Sequence, residues 1–534
     1  MSNHFIGIDV GTGSARAGIF DRNGVMVAKA KRDIALFQDG PDIAEQSSND
    51  IWRAVCASVR EAVSAANLTP DGIAGLGFDA TCSLVVLGPE GRPLGVGMSG
   101  DDERNIIVWM DHRALAQTER INGTAHQVLA YVGGTISPEM ETPKLLWLKE
   151  NLPATYASAW QFFDLADFLT WRATGSLARS VCTVTCKWTY LAHEGRWDEG
   201  YFREIGLGDL ADDGFARIGN RIVDPGTPVG EGLSPAAARE LGLNPGTPVA
   251  AGLIDAHAGG VGSVGGQEGG ESATSRLAYV FGTSACTMMS SHEPLYIPGI
   301  WGPYYSAMVP GLWLSEGGQS AAGAAIDHLT ALHPASREAA AKAQAAGTSL
   351  PEWLAEEAAR ASPSPSATAH LAGQLHVVPD FLGNRAPLAN PHARGVIAGL
   401  GLERDVHSLV SLYVAGLLGL GYGLRQIVTA SRERGASIDA IALSGGAGRH
   451  TVVRQLIADS TGIPVLVSRE DDPVLLGSAM LAAVAGGAFA DLQAAMAGMS
   501  AIAGRYEPAT GPIAELHERR FRAFEALQQT ALSL

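Results

Sequence analysis

The sequence predicts an α/β protein made of two related halves, each a mixed sheet flanked by helices, with a cleft available between them. Three observations carry this. At 534 residues the chain is too long for one ordinary hydrophobic core and suits two large domains. Strand-like and helix-like segments alternate along most of its length. One local theme, apolar strand, Gly-Thr turn, apolar strand, occurs twice: "FIGIDVGTGSARAGIF" from Phe5 to Phe20 and "RLAYVFGTSACTMMSS" from Arg276 to Ser291.

Taken in order, Phe5–Val10, Ala15–Phe20 and a run from Val25 read as three strands. The Asn23-Gly24 pair is a strong hairpin signal, so the three are expected as antiparallel neighbours. "SSNDIWRAVCASVREAVSAAN" has helical periodicity, "GIAGLGFDAT" is a strand, and "SLVVLGPEGRPL" reads as a further hairpin. Strands then alternate with helices to about Gly265, after which the second cycle begins. Residues from about 335 to 370, with "ASREAAAKAQAAG" and "SPSPSATA", read as an Ala-rich helical excursion ending in a flexible linker. In "IDAIALSGGAGRHTVVRQLIADSTGIPVLVS" a strand, a glycine turn, a helix and a strand follow one another. Val452, Val453, Leu456 and Ile457 share one helical face, and Gly462 with Pro464 stops the helix. "DDPVLLGSAMLAAVAGG" is a final packed helix.

Composition narrows the class. Apolar residues make up 46% and charged ones 17%, which describes a folded chain. A formal charge of -17 with no basic stripe argues against a nucleic-acid partner, although local amides can still hold a phosphorylated ligand. Five scattered cysteines suggest reduced thiols and a cytoplasmic protein, with the C-x3-C of Cys182 and Cys186 read as small core residues. A strand expected within five residues of Met1 leaves no room there for a signal peptide. The longest uncharged run, Val406 to Leu424, contains His407, serines and glycines and reads as a buried core helix, so no membrane partner is expected.

Asp9 raises the chemical question. A carboxylate inside an apolar strand is costly unless a cation or several donors receive it. In "DVGTGSAR" the glycines let backbone amides approach a ligand, and Thr12 and Ser14 add hydroxyls, so the turn makes an anion cradle beside Asp9. An anion next to a carboxylate requires a cation between them, and hydrated Mg2+ suits that place. The plainer alternative is a Gly hairpin with Asp at a strand end. The second turn, Gly282, Thr283 and Ser284, favours the cradle, because two such turns can grip a polyphosphate from both sides.

"SGGAGRH", Ser444 to His450, lies between strand and helix, where α/β sheets tend to bind ligands. There is no G-x-x-x-x-G-K-[ST] P-loop, and "GVGSVG" from Gly260 follows no strand. In "GLIDAHAGG", Asp255 is the candidate general base for phosphoryl transfer, with a helix cap as the plainer alternative; His257 reads as a satisfied structural histidine. Three clusters, "VWMDHRA" with Asp111, "CKWTY" with Lys187 and "LSEGGQSA" with Glu316 and Gln319, combine polar groups with apolar or aromatic neighbours, as a polyhydroxy ligand requires.

At this point the chain resembles a known family, the FGGY-type carbohydrate kinases of the ribonuclease-H-like, actin and hexokinase superfamily. The resemblance runs over nearly the whole length through eight colinear blocks, among them "VWMDHRA", "VTCKWTY", "LIDAHAGG", "GTSAC" and "DFLGNRAPLANPHARG". It is greatest to the pentulose-kinase branch that phosphorylates D-ribulose, with L-ribulose, D-xylulose or another small polyol as alternative acceptors. A non-catalytic actin-like or sugar-sensing protein is the rival reading. The resemblance implies two ribonuclease-H-like domains, 1–265 on the sugar side and 266–534 on the nucleotide side. It also implies ATP and Mg2+ as cofactors and a homodimer. Carried onto this sequence, it places Asp9 at the metal and Thr12, Gly13 and Arg16 at the nucleotide phosphates. Gly282, Thr283 and Ser284 form the second phosphate loop, Gly445 and Gly446 flank the adenosine, and Asp255 is the base. Cys82, Asp111, Lys187, Glu316 and Gln319 fall near the sugar. One departure is His450, where the family usually has Asn.

Overall fold

The structure is a computed structural model and describes residues 4–266 and 272–534. The expected junction between the halves runs into residues 267–271, which lie outside that range.

The two halves repeat one topology. In the first sheet Met26–Asp33, Ser14–Phe20 and His4–Val10 form an antiparallel meander. Ile73–Ala80 and then Leu253–Ile254 continue the sheet in parallel on the far side of His4–Val10. In the second sheet Trp313–Gln319, Ala285–Ser291 and Arg276–Phe281 make the same meander, and Ala440–Ser444 and Val465–Ser468 the same parallel continuation. Trp301–Tyr305 and Ile502–Tyr506 are added at the two edges. The expected α/β class, with two related mixed sheets, is therefore what the chain forms. The first strands are buried along almost their whole length because the sheet is covered on both faces.

Two helices join the halves. Asp255–Val264 leaves the end of the first sheet, and Pro473–Ala485, from the far end of the chain, lies against that same sheet and against Asp255–Val264. The approach is too close for side chains. A Cβ at Gly77 would lie 2.1 Å from the Ser478 carbonyl oxygen, and one at Gly477 would lie 2.0 Å from that of Ala258. The apolar, nearly uncharged sequence of Pro473–Ala485 is explained by this position, since it is buried on all sides.

One expectation is corrected and another is narrowed. Beyond helices Ser336–Ala345 and Leu350–Arg360, the supposed flexible linker forms a short 3-10 helix, Ser366–Ala372, whose Thr368, Ala369 and Ala372 are buried. Small side chains let it seat on the long helix Val406–Arg432, itself buried over most of its apolar stretch. The expected hairpin from Ser83 forms but is short: Leu84–Leu87 turns back to a single antiparallel bridge at Pro93, with the Gly88 amide on the Arg92 carbonyl at 2.8 Å and the Leu94 amide on the Val86 carbonyl at 3.3 Å, and Leu84–Leu87 takes its longer pairings from Ile106–Ile107 and Gln161–Asp164.

Candidate active site

Two cavities open where the sheets meet. The first, of about 550 Å³, is lined by Gly11, Thr12, Gly13 and Ser14 from one Gly-Thr turn and by Gly282, Thr283 and Ser284 from the other, with Asp9, Arg16 and Asp255 beside them. Cys82, Trp109, Glu139, Lys187, Cys286, Trp301, Glu316 and Arg385 line the rest. The second, of about 430 Å³, shares Gly282 and Thr283 with the first and continues past Gly446, Arg449, His450, Tyr413 and Glu352. The turns that looked related in the sequence thus face one common space, and the second turn is the threshold between the two cavities.

Asp9 has its cation. Arg16 Nε donates to Asp9 Oδ2 at 2.6 Å and its Nη1 reaches Asp472 Oδ1 at 3.3 Å. What remains unbalanced is Asp79, at the same level of the neighbouring parallel strand and in register with Asp9. Asp79 is fully buried; Ser478 Oγ donates to its Oδ2, its Oδ1 has no donor, and the Asp9 carboxylate is a close neighbour of the group. Burial first, and then the charge of Asp9, push Asp79 well above the usual carboxylate range. A proton or a cation must occupy that gap. Among the described residues no three side chains converge into a ready metal cage, but Mg2+ keeps several waters and needs only one or two carboxylates. The orphaned Asp79 Oδ1 and the Asp9 pair fit a hydrated cation of that kind. Asp79 was missed in the sequence, although "GLGFDAT" carries the same signal as Asp9: a lone carboxylate in an apolar strand.

Asp255 opens the Asp255–Val264 helix and is not its cap; Ile254 holds that position, and Asp255 Oδ1 accepts from the adjoining Ala256 amide at 2.7 Å. Burial, followed by the charge of Asp9, raises its pKa to about 6, against the opposing pull of the amide, His257 and Lys187. A carboxylate so poised is ionised at neutral pH yet basic enough to take a proton.

Elsewhere on the wall of the first cavity, Lys187 Nζ lies 5.2 Å from the Trp301 ring centroid and the Arg385 guanidinium 5.5 Å from it, so one indole meets two cations. Glu316 is held below the usual carboxylate range, at about 2: burial pushes its pKa up, and Lys187 and then His257 outweigh that. Trp109 Nε1 donates to Thr12 Oγ1 at 2.9 Å, tying the aromatic wall to the first turn. Arg385, inside the block "DFLGNRAPLANPHARG", and Trp301 were not singled out in the sequence, because only the packing of distant segments brings them to Lys187.

Three expected residues are not brought to the cavity. Asp111 is buried, and its oxygens are taken by the Ala44 amide at 2.7 Å and by Arg113, which also binds Glu45 at 2.8 Å. It is a saturated structural ion pair with no lone pair left for a sugar. Gln319 is held at both ends, accepting from Tyr279 Oη at 2.7 Å and donating to the Leu420 carbonyl at 3.0 Å. Gly445 turns the chain at φ 95°, where a Cβ would strike the Phe281 carbonyl oxygen at 2.4 Å, and only Gly446 reaches the cavity wall. His450 caps the helix that follows it: its Nδ1 accepts from the Val452 amide at 3.1 Å, and its Nε2 lies 3.2 Å from Glu356 Oε1.

Comparison with known proteins agrees with this geometry. Residues 4–262 match the N-terminal domain of the FGGY family of carbohydrate kinases, and residues 277–486 match its C-terminal domain. The chain is 47% identical to the human FGGY carbohydrate kinase domain-containing protein, over 93% of this chain and 91% of that one. It is 38% identical to the D-ribulokinase of Saccharomyces cerevisiae, over 90% of this chain and 72% of that one. The fold superposes on the xylulose kinase from Rhodospirillum rubrum with a TM-score of 0.79 at 23% identity, covering 99% of this chain and 98% of that one. Its architecture is that of the two-domain sugar kinases of the actin and hexokinase type. On these grounds the chain belongs to the FGGY family of carbohydrate kinases and is a sugar phosphotransferase.

Proposed function

We propose that this protein is an ATP-dependent pentulose kinase that converts D-ribulose to D-ribulose 5-phosphate, with residues 1–265 holding the sugar and 266–534 the nucleotide. The observation that carries the reading is the convergence of both Gly-Thr turns and Asp255 on one cavity. The 38% identity to a yeast D-ribulokinase supports the choice of sugar.

Adenosine occupies the second cavity, beside Gly446 and His450, and the triphosphate crosses the shared Gly282-Thr283 threshold into the first. Its anionic oxygens meet the turn amides, Thr12 and Arg16. Bound Mg2+ supplies charge neutralisation on the phosphates, and Asp9 and Asp79 would hold it. Glu316 accepts a hydrogen bond from a sugar hydroxyl, Lys187 and Arg385 donate to sugar oxygens, and Trp301 offers a flat face to C–H groups. Asp255 takes the proton of the C5 hydroxyl as that oxygen bonds to the γ-phosphorus. The bond from the γ-phosphorus to its bridging oxygen breaks, and ADP leaves with the electron pair.

The test is ADP release measured with and without ketopentoses of both hands and small polyols. D-Ribulose is expected to stimulate release most. Stimulation by another acceptor alone replaces the sugar, and release indifferent to every acceptor removes the kinase reading in favour of a non-catalytic relative. A pH profile adds a check. The base works only when ionised, so kcat/KM is expected to fall as pH drops through about 6 and to level off above it. A profile flat down to pH values well below that contradicts the assignment of Asp255.

A further inference from the structure

His257 is a buried titratable group that the mechanism leaves without a task. It is completely buried in the first turn of the Asp255–Val264 helix, and its two ring nitrogens reach different partners. Nδ1 lies 3.1 Å from Cys182 Sγ, and Nε2 lies 3.4 Å from Glu316 Oε2. Cys182 Sγ also accepts from the Ile254 amide at 3.4 Å and has Cys186 as a further hydrogen-bond partner. The sulfur is therefore surrounded by donors, although an apolar core would ordinarily hold a neutral thiol.

A neutral imidazole carries one N–H and one bare nitrogen. Against the ionised Glu316 carboxylate the Nε2 side must carry the proton, which leaves Nδ1 to share a second proton with the Cys182 sulfur. The electrostatics agree. Burial opposes charge on His257, but the charge and hydrogen bond of Cys182, followed by Glu316, push its pKa up. Burial likewise opposes a thiolate at Cys182, yet the hydrogen bond from Cys186 and the charge of His257 pull its pKa down. The sulfur is fully buried, so the pair is shielded from solvent and its use is electrostatic and geometric.

We propose that His257 is a positioning residue, its ring fixed at Nδ1 by Cys182 Sγ and donating from Nε2 to Glu316 Oε2, that holds one oxygen of Glu316 from behind and leaves the other as a fixed acceptor for a substrate hydroxyl. Glu316 lines the first cavity while His257 does not, so the imidazole acts on the ligand only through the carboxylate. The inference rests on the sugar-kinase reading above for its consequence and on the Cys182–His257–Glu316 geometry for its cause.

The two parts are tested separately. In the full-length protein with isotope-labelled histidine, the imidazole resonances lost in His257→Gln identify residue 257, and at pH 7 its Nε2 is expected to carry a proton. In the Cys182→Ala variant the chemical shift of Nδ1 is expected to change. A ring whose Nε2 is bare at pH 7 in the parent overturns the proposal whether or not any sugar is turned over.

In the ADP-release assay, His257→Gln is expected to raise the KM for the preferred sugar by about tenfold or more, as loss of a charge-assisted hydrogen bond does. The KM for ATP should stay within about twofold, since the second cavity is untouched. Cys182→Ala should move the sugar KM in the same direction by less, and it serves in place of His257→Gln if that variant does not fold. A sugar KM within about twofold of the parent in whichever variant is folded overturns the proposal. Equal rises in both KM values would mark a merely structural role and overturn it as well.

Discussion

Asp255→Asn is expected to lower kcat by at least about 10²-fold, the lower end of what a general base contributes, while sugar binding survives. The substitution keeps the volume and the contact with the Ala256 amide and removes only the basic oxygen. It also removes a buried negative charge that lies against Asp9, so the variant should fold at least as well as the parent. Binding can be followed without turnover through the fluorescence of Trp109 and Trp301, which line the cavity. Turnover within a few-fold of the parent would show that Asp255 is not the base; lost binding with lost turnover would make it a structural contact. For a sugar kinase this is the sharpest single experiment, because transfer to a hydroxyl needs little from the protein besides positioning, charge neutralisation and one proton acceptor.

Gly477→Ala should damage the same step from a distance. The new Cβ would lie 2.0 Å from the Ala258 carbonyl oxygen, and real Cβ contacts essentially never fall under 3.0 Å, so the two helices must part by roughly 1 Å. Ala258 stands one turn from Asp255 on the same helix. A displacement of about 1 Å at a reacting group can cost on the order of 10²-fold in rate, and overpacking a tight core costs about 1–3 kcal/mol. The expected outcome is a variant that melts earlier and turns over far more slowly, although residue 477 is outside the residues lining the first cavity. A melting temperature and kcat equal to the parent's would mean that the crossing of the two helices yields freely and does not position the base.

The repeated strand, turn and strand pattern was legible because it is local. Strand alternation, Gly-Thr turns and the Asn23-Gly24 hairpin each depend on a few neighbouring residues, and the observed meanders follow them. The core helix Val406–Arg432 and the glycine stop at Gly462 were legible for the same reason. The polar wall of the first cavity was only half legible. Lys187, Glu316 and Cys82 reach the cavity as expected, while Asp111 and Gln319 carry the same residue types in the same kind of context but are saturated by Arg113, Ala44, Tyr279 and Leu420. A polar side chain in an apolar segment must find a partner, and sequence does not reveal whether that partner is the protein or a ligand.

By itself, then, the amino-acid sequence determined the two-fold α/β plan, the paired glycine turns, the poised carboxylates Asp9 and Asp255 and the family to which they point. Tertiary structure alone decided that Asp79 opposes Asp9, that Trp301 and Arg385 join Lys187, and that Cys182, His257 and Glu316 form one buried chain. The physical reason is one of range. Turns and strands are chosen by torsional and hydrophobic preferences a few residues wide, whereas charge pairing inside a core depends on which distant segments the fold brings within hydrogen-bonding distance.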